Sequence, residues 1–144
     1  MKKILLFLCL FSFPVMAAER TTNGLTEAQQ LGITAGVALA CNAGGKLDDF
    51  ELIASRIIAN QALTADAEQK GYREFAESKL RAYNEQRRSP QESCGAVLDS
   101  FNHLPIFRSV VYADGGLKMY DGKYLKPLRP VKQVKSNTKS TKKK

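Results

Sequence analysis

The sequence contains no tryptophan and a single histidine, His103. Catalytic Cys/His and Ser/His/Asp arrangements need a histidine as their base. The one histidine, His103 beside Leu104, is interpreted instead as a capping or packing residue at a helix end. The chain also lacks the G-x-S-x-G sequence, the phosphate-binding P-loop and the ligand spacing of zinc sites. We therefore expect no enzymatic activity, no metal site and no cofactor.

Long hydrophobic runs are also absent, apart from one at the N-terminus. Lys2 and Lys3 precede an apolar stretch over residues 4–13, which is followed by Pro14 and by small residues up to Ala17. This order is typical of a cleaved secretory signal peptide, here over residues 1–17. An uncleaved anchor is the alternative, but the apolar stretch falls short of the ~20 residues that span a bilayer. We expect a periplasmic or secreted protein whose mature chain has no transmembrane segment.

Cysteine is scarce once the signal peptide is removed. Cys9 lies within that segment, so the mature chain keeps only Cys41 and Cys94. In an exported protein such a pair predicts a disulfide. A metal site would need further ligands, and a redox-active dithiol is disfavoured because the two cysteines are far apart in sequence. We interpret the pair as structural.

Acidic residues are absent from the C-terminal tail, residues 126–144, which carries eight basic side chains. Residues 18–125 carry 12 basic and 14 acidic side chains, although the whole chain has a net charge of +8. The basicity is therefore a tail on a near-neutral domain, which argues against a DNA-binding fold with a basic face. The tail has no apolar period, and we predict that it is disordered.

Capping residues and hydrophobic periodicity predict four helices. Thr26 and Gln29 form a capping box that begins the first helix, which is rich in small residues that let another helix approach closely and which ends at residues 44–45. Ser89, Pro90 and Glu92 form the clearest capping signal in the chain. They begin the fourth helix, which is expected to end before residue 104.

The second helix is predicted from about residue 47 to residue 61, and its acidic first turn suits the helix dipole. The third is capped by Thr64 or Asp66 and ends near residue 88. One side of it is charged. The other is expected to be the apolar, packing side and holds Tyr72, Phe75, Leu80 and Tyr83.

After the fourth helix the hydrophobic pattern changes from a helical period to one typical of strands. Short β-prone runs at residues 108–113, 117–120 and 123–125 are separated by turn sequences that begin at Asp114 and Asp121. The predicted fold is mainly α: a four-helix bundle-like domain over residues 18–125, clamped by one disulfide and completed by a short C-terminal β-hairpin or meander. The bond would tie Cys41, at the end of the first helix, to Cys94, at the start of the fourth.

The basic C-terminal region predicts an anionic partner, such as phospholipid headgroups or an acidic envelope polymer. Tyr120 and Tyr124 lie among its first lysines and extend the surface over the hairpin. The candidate binding residues are Lys118, Lys123, Lys126, Arg129, Lys132, Lys135, Lys139, Lys142, Lys143 and Lys144. A solubilising tail without a specific ligand is the alternative, and nucleic acid fits poorly with export.

A signal peptide, a small helical domain and one long-range disulfide between Cys41 and Cys94 resemble the small periplasmic acid-stress chaperones of the HdeA type. The resemblance covers the architecture of residues 26–101, whereas the hairpin and the basic tail depart from that family. The same outline is similar to small type II-secreted effectors of intracellular Gram-negative bacteria, some of which bind host phosphoinositides. Neither resemblance assigns a functional residue. Protein binding through the helices, by a periplasmic chaperone or inhibitor, is the alternative to anionic-partner binding.

Overall fold

The computed structural model describes residues 24–129. Its elements are helices α1 Glu27–Ala40, α2 Gly45–Gln61, α3 Ala65–Arg88 and α4 Cys94–Asn102, a 3-10 helix at Pro105–Arg108, and strands β1 Val110–Val111, β2 Leu117–Lys118 and β3 Tyr124–Leu125. The fold is mainly α with a small C-terminal sheet, as the sequence predicts. Within this range no helix combines the length and the apolar character needed to cross a membrane. The signal peptide at residues 1–17 and the lysines of the tail from Lys132 to Lys144 lie outside the described residues.

Two of the predicted helix starts are confirmed by their capping hydrogen bonds. The Thr26 hydroxyl accepts from the Gln29 amide at 3.2 Å while the Gln29 side chain accepts from the Thr26 amide at 2.9 Å, which completes the capping box of α1. Thr64, rather than Asp66, caps α3 by accepting from the Ala67 amide at 3.1 Å. Each bond satisfies a backbone donor that has no partner within its helix.

The predicted start of the fourth helix at Ser89 is wrong. Ser89 ends α3 instead, and its amide donates to the Glu85 carbonyl at 2.8 Å. The Gln86 side chain then donates to the Glu92 carbonyl at 2.8 Å, which holds the following segment as a connecting loop. Because α3 continues to Arg88, Ser89 is its C-terminal cap and does not begin α4. Ser93 caps α4 through the Ala96 amide at 3.3 Å.

The predicted disulfide between Cys41 and Cys94 is present. Cys41 is buried and follows the last residue of α1, whereas Cys94 is exposed and is the first residue of α4. The bond therefore fixes the start of α4 against the end of α1. The Gln86 amide nitrogen of α3 lies 3.8 Å from the Cys41 sulfur, so three helices meet at this point.

Helix α1 packs against α3 at very short range because its contact side carries glycine. A Cβ added to Gly32 would lie 2.3 Å from the Phe75 carbonyl oxygen, and one added to Gly36 would lie 2.2 Å from the Lys79 carbonyl oxygen. The contacts advance in the same order along both helices, so α1 and α3 run in the same direction. The small residues of α1 thus admit a second helix, as the sequence predicts.

The expected packing side of α3 is only partly correct. Phe75 packs against the core, but Leu80 is 62% exposed and Tyr72 is 38% exposed. The buried residues of α3 are instead Ser78, Ala82 and Gln86. Gly32 and Gly36 leave room only for short side chains between the two backbones, so Ser78 and Ala82 are buried there instead of large apolar residues. Gln86 is buried further along, beside Cys41.

The core lies between α2, α4 and the inner side of the sheet. Phe50, Ile57 and Leu117 are its largest fully buried side chains. Phe50 and Phe101 have ring centroids 5.4 Å apart, and Phe107 meets Phe101 edge to face at 5.3 Å. This aromatic cluster carries the apolar contacts that hold the C-terminal segment on the helices.

The C-terminal strands form a three-stranded antiparallel meander in the order β1-β2-β3. Val111 pairs with Leu117, which pairs with Leu125. Asn60 of α2 joins the sheet to the helices, because its buried amide nitrogen donates to the Gly115 carbonyl at 3.0 Å and to the Leu125 carbonyl at 3.2 Å. The predicted meander packed on helices is confirmed.

We expect Asn60→Ala to lower the free energy of unfolding by about 2 kcal/mol, because it leaves two buried carbonyl groups without their donor. Amide hydrogen exchange at Leu117 and Leu125 should accelerate more than exchange within α1. The matched control is Asn84→Ala, since Asn84 is a half-buried asparagine of α3 whose side chain makes no hydrogen bond within residues 24–129. Equal destabilisation by both substitutions would contradict the role assigned to Asn60.

Candidate functional site

Positive charge is concentrated toward the C-terminal end of the chain. Residues 24–102 contain eight basic and eleven acidic side chains, whereas residues 103–144 contain eleven basic and two acidic ones. The meander belongs to the second group. Within the described residues 103–129 there are five basic and two acidic side chains, so this part of the structure attracts anions.

The register of the meander separates an inner from an outer side. Val110 pairs with Lys118, and Lys118 pairs with Tyr124. Side chains alternate along a strand, so these three residues lie on the side opposite the buried Leu117 and Leu125. We use the term outer face for this side of the sheet together with the flanking residues two positions along the chain from these three, which gives Arg108, Val110, Tyr112, Lys118, Tyr120, Tyr124 and Lys126.

Three tyrosines dominate the outer face. Tyr112 is 43% exposed, and Tyr120 and Tyr124 are each 49% exposed. The Tyr112 and Tyr124 rings meet edge to face with centroids 5.7 Å apart, and the Arg108 guanidinium lies 6.0 Å from the centre of the Tyr120 ring. The rings are thus supported from the side and keep about half of their surface in solvent.

The Tyr124 hydroxyl lies directly over Gly116. A Cβ at that glycine would lie 2.1 Å from the hydroxyl oxygen, so a larger residue there would displace the Tyr124 ring. Partial desolvation raises the pKa of Tyr124 above its ordinary value, and the nearby Asp114 carboxylate raises it further. The phenol is protonated at neutral pH even without this shift, and it is a hydrogen-bond donor at the surface.

The two acidic residues of the meander are both used to build its turns. The Asp114 carboxylate accepts from the Gly116 amide at 2.8 Å, and the Asp121 carboxylate accepts from the Lys123 amide at 2.9 Å. Gly115 and Gly122 complete the turns with φ near +89°, where residues with a side chain are disfavoured. The predicted turn sequences are confirmed, and both carboxylates lie at the turns, Asp114 close to the Tyr124 hydroxyl.

Three of the predicted binding residues are exposed and lie close together in the chain. Lys118 is on β2 in the middle of the outer face, and Lys126 follows β3 by one residue. Lys123 is exposed beside the second turn, but the alternation of β3 places it on the same side as Leu125. None of the three lysines forms an ion pair within residues 24–129.

Arg129, also predicted to bind an anion, has partners in the folded domain. Its guanidinium donates to the Glu68 carboxylate at 2.7 and 2.8 Å and to the Ala62 carbonyl at 3.0 Å. Ala62 follows the last residue of α2, where the helix dipole favours a cation. Arg129 thus fastens the end of the described chain to α2 and α3.

Three contributors to the outer face were missed by the sequence reasoning, namely Arg108, Val110 and Tyr112. They occupy every second position of residues 108–113, so the alternation of side chains in a strand would have placed them on one side of it. The 3-10 helix that ends at Arg108 interrupts this run, which explains why the signal is short.

His103 occupies the C-terminal cap of α4, as expected of a capping residue. Its Nδ1 lies 2.7 Å from the Asp99 carbonyl oxygen. No group of three potential metal-ligating side chains occurs in the part of the chain that the structure describes.

An open groove of about 570 Å³ lies near the start of α1. Its walls come from the first turn of α1, the end of α2 and the start of α3, and they include Ala28, Ile57, Ile58, Ala62 and Gly71. The groove is mainly apolar and separate from the outer face.

Comparison with family models, with curated proteins and with solved structures gave no match.

Proposed function

We propose that this chain is an exported, non-enzymatic binding protein that engages an anionic partner through its basic C-terminal region. The observation that carries the proposal is the outer face, where Lys118 lies between Val110 and Tyr124 and forms no ion pair within residues 24–129. Lys126 and Lys123 add two further cations at its border. The helices, in a bundle-like arrangement, and the disulfide serve as the rigid support for this surface.

The electrostatics favour a partner with many negative charges rather than a single small anion. The exposed lysines are spread over the meander, and further lysines continue along residues 126–144, so the charge is not gathered at one point. Each cation near an anionic surface contributes about 1 kcal/mol, and salt screens the contribution over about 8 Å at physiological ionic strength. Phospholipid headgroups and an acidic envelope polymer both have the required charge density.

The test is the triple substitution Lys118→Gln, Lys123→Gln, Lys126→Gln in the oxidised chain without residues 1–17. Binding to phosphatidylglycerol vesicles or to a soluble acidic polysaccharide should weaken on the order of 100-fold, from about 1 kcal/mol per lysine. A rise in salt should weaken the wild type more than the variant, because the wild type has more charge to screen.

The matched control removes the same charge from α3, through Arg73→Gln, Arg81→Gln and Arg88→Gln. These three side chains are exposed and form no ion pair within residues 24–129. The control should bind almost as well as the wild type. Equal loss in both variants would mean that only net charge matters, and no binding by the wild type to either probe would reject the proposal.

A second candidate function is protein binding by the helical part, as in a chaperone or inhibitor. The open apolar groove between α1, α2 and α3 favours it, together with Leu63, which is 86% exposed beside that groove's end of α2. Such binding would be insensitive to the three lysine substitutions. Ala28→Glu, at the wall of the groove, would abolish it instead.

A further inference from the structure

We infer that the partner of the outer face is the headgroup layer of an anionic phospholipid bilayer, with the tyrosines of the meander seated at the level of the headgroups. The inference rests on the proposed function and narrows it to one kind of partner. It concerns the folded meander, and it makes the sheet, in addition to the basic tail, a docking element.

The composition of the outer face fits an interface between water and lipid. Tyrosine has an apolar ring and a polar hydroxyl, and it is enriched where proteins meet the headgroup region. Tyr112, Tyr120 and Tyr124 are each between 43% and 49% exposed. Val110, which pairs with Lys118 on the opposite side from Tyr124, is 50% exposed. Exposed apolar and aromatic side chains gathered among lysines are characteristic of a surface that docks on a partner.

The position of the charges fits the same partner. Lys118 is in the centre of the outer face, directly beside Val110 and Tyr124 in the register. A lysine in this position places its apolar stem along the rings and its ammonium group at the phosphates. Each acidic side chain of the meander accepts a backbone amide at a turn, and Asp114 also lies near the Tyr124 hydroxyl at one end of the patch.

The sheet itself is suited to a flat partner because Val110, Lys118 and Tyr124 are all exposed on its outer side. Tyr120, at the end of this side, is also exposed and borders an open groove whose other walls come from α1 and the 3-10 helix. The described chain leaves the meander after β3 and is fastened by Arg129 to Glu68 and to the Ala62 carbonyl. This contact leads the chain back toward α2 and α3 and away from Tyr112 and Tyr124, which keep 43% and 49% of their surface exposed. A soluble acidic polymer would use the lysines but has no layer into which the rings can move.

The absence of tryptophan from the sequence makes a direct test possible, because a single introduced tryptophan reports alone. The probe is Tyr120→Trp in the oxidised chain without residues 1–17, mixed with vesicles of phosphatidylglycerol and phosphatidylcholine. We expect a blue shift of the emission and quenching by lipids brominated near the headgroup. Tyr83→Trp on α3 is the matched control and should show neither change.

A second variant measures the contribution of the rings without touching the charge. Tyr112→Ser with Tyr120→Ser should weaken the partition onto anionic vesicles by roughly tenfold and leave binding to a soluble acidic polysaccharide unchanged. Tyr124 is retained because its hydroxyl covers Gly116. Circular dichroism of the double variant verifies that the fold is intact.

The outcomes separate this inference from the proposed function. If vesicles sediment the protein while Tyr120→Trp is neither shifted nor quenched, the lysines bind lipid without the rings and the inference is overturned. If the polysaccharide shifts the emission and the vesicles do not, the partner is a polymer and the inference is again overturned. In both cases the proposed function survives, whereas it fails only if neither probe is bound.

Discussion

Removal of the Cys41–Cys94 disulfide is expected to lower the free energy of unfolding by about 4 kcal/mol, on the loop-entropy model of disulfide stabilisation. The two cysteines are 53 residues apart in the sequence, so the bond closes a long loop and strongly restricts the unfolded chain. The loss is large because small domains are stable by only about 5–15 kcal/mol. Urea unfolding with and without a reductant measures the difference.

The control for reduction is the double variant Cys41→Ala, Cys94→Ala, which should unfold at the same urea concentration with and without reductant. Since the bond also fixes the start of α4, the variant should lose protection of the Val97 amide against hydrogen exchange before that of α1. A loss below about 1 kcal/mol, far under the loop-entropy value, would show that the contacts of Gln86 and the aromatic cluster already hold α4 in place.

The second large effect is expected at the contact of α1 with α3. Gly36→Val should destabilise the protein by about 3 kcal/mol, because its Cβ would lie 2.2 Å from the Lys79 carbonyl oxygen and 2.9 Å from the Ala82 Cβ. Both neighbours belong to another helix and neither is the end of a flexible chain. The helices would have to separate along their length, and thermal unfolding should report a lower midpoint.

Gly95→Ala is the matched control, since it also replaces a glycine within a helix. Its added Cβ would meet only the Ser93 hydroxyl at 4.0 Å, so the better helix propensity of alanine should stabilise α4 by up to about 1 kcal/mol. If Gly36→Val were equally well tolerated, α1 and α3 would not be held at the distance described.

The helix starts show how far local signals reach. Thr26 and Thr64 cap their helices as expected because the bonds that they make depend only on residues three positions away. Ser89 carries an equally good capping signal, yet α3 extends through Arg88 and Ser89 becomes its C-terminal cap. The choice between Ser89 and Ser93 depends on Gln86 and on the disulfide, which are contacts that a local pattern does not contain.

The packing side of α3 was not predictable from its own apolar residues. Leu80 follows Ala76 by four residues and precedes Tyr83 by three, as a helical period requires, but it is exposed, whereas Ser78 and Ala82 are buried. Their burial follows from the glycines of α1, and nothing within α3 indicates that its partner is a nearly bare backbone. Tertiary context thus overrides periodicity where a helix meets small residues.

The candidate site was predictable in composition but not in geometry. The lysines and two tyrosines are visible in the sequence, and the turns at Asp114 and Asp121 fix the strands that carry them. The two-residue strands leave the register ambiguous, so only the structure distinguishes Lys118 on the outer face from Lys123 on the other side. The ion pair of Arg129 with Glu68 joins residues 61 positions apart, a separation that no local pattern reveals.

The comparison of the two triple variants tests the central claim most directly. Binding of phosphatidylglycerol vesicles is measured for the variant without Lys118, Lys123 and Lys126 and for the one without the three α3 arginines, at low and at physiological salt. We predict a loss on the order of 100-fold for the lysine variant, from about 1 kcal/mol per lysine, and nearly unchanged binding for the arginine variant. Equal binding by the two variants would contradict the assignment of the meander as the binding surface.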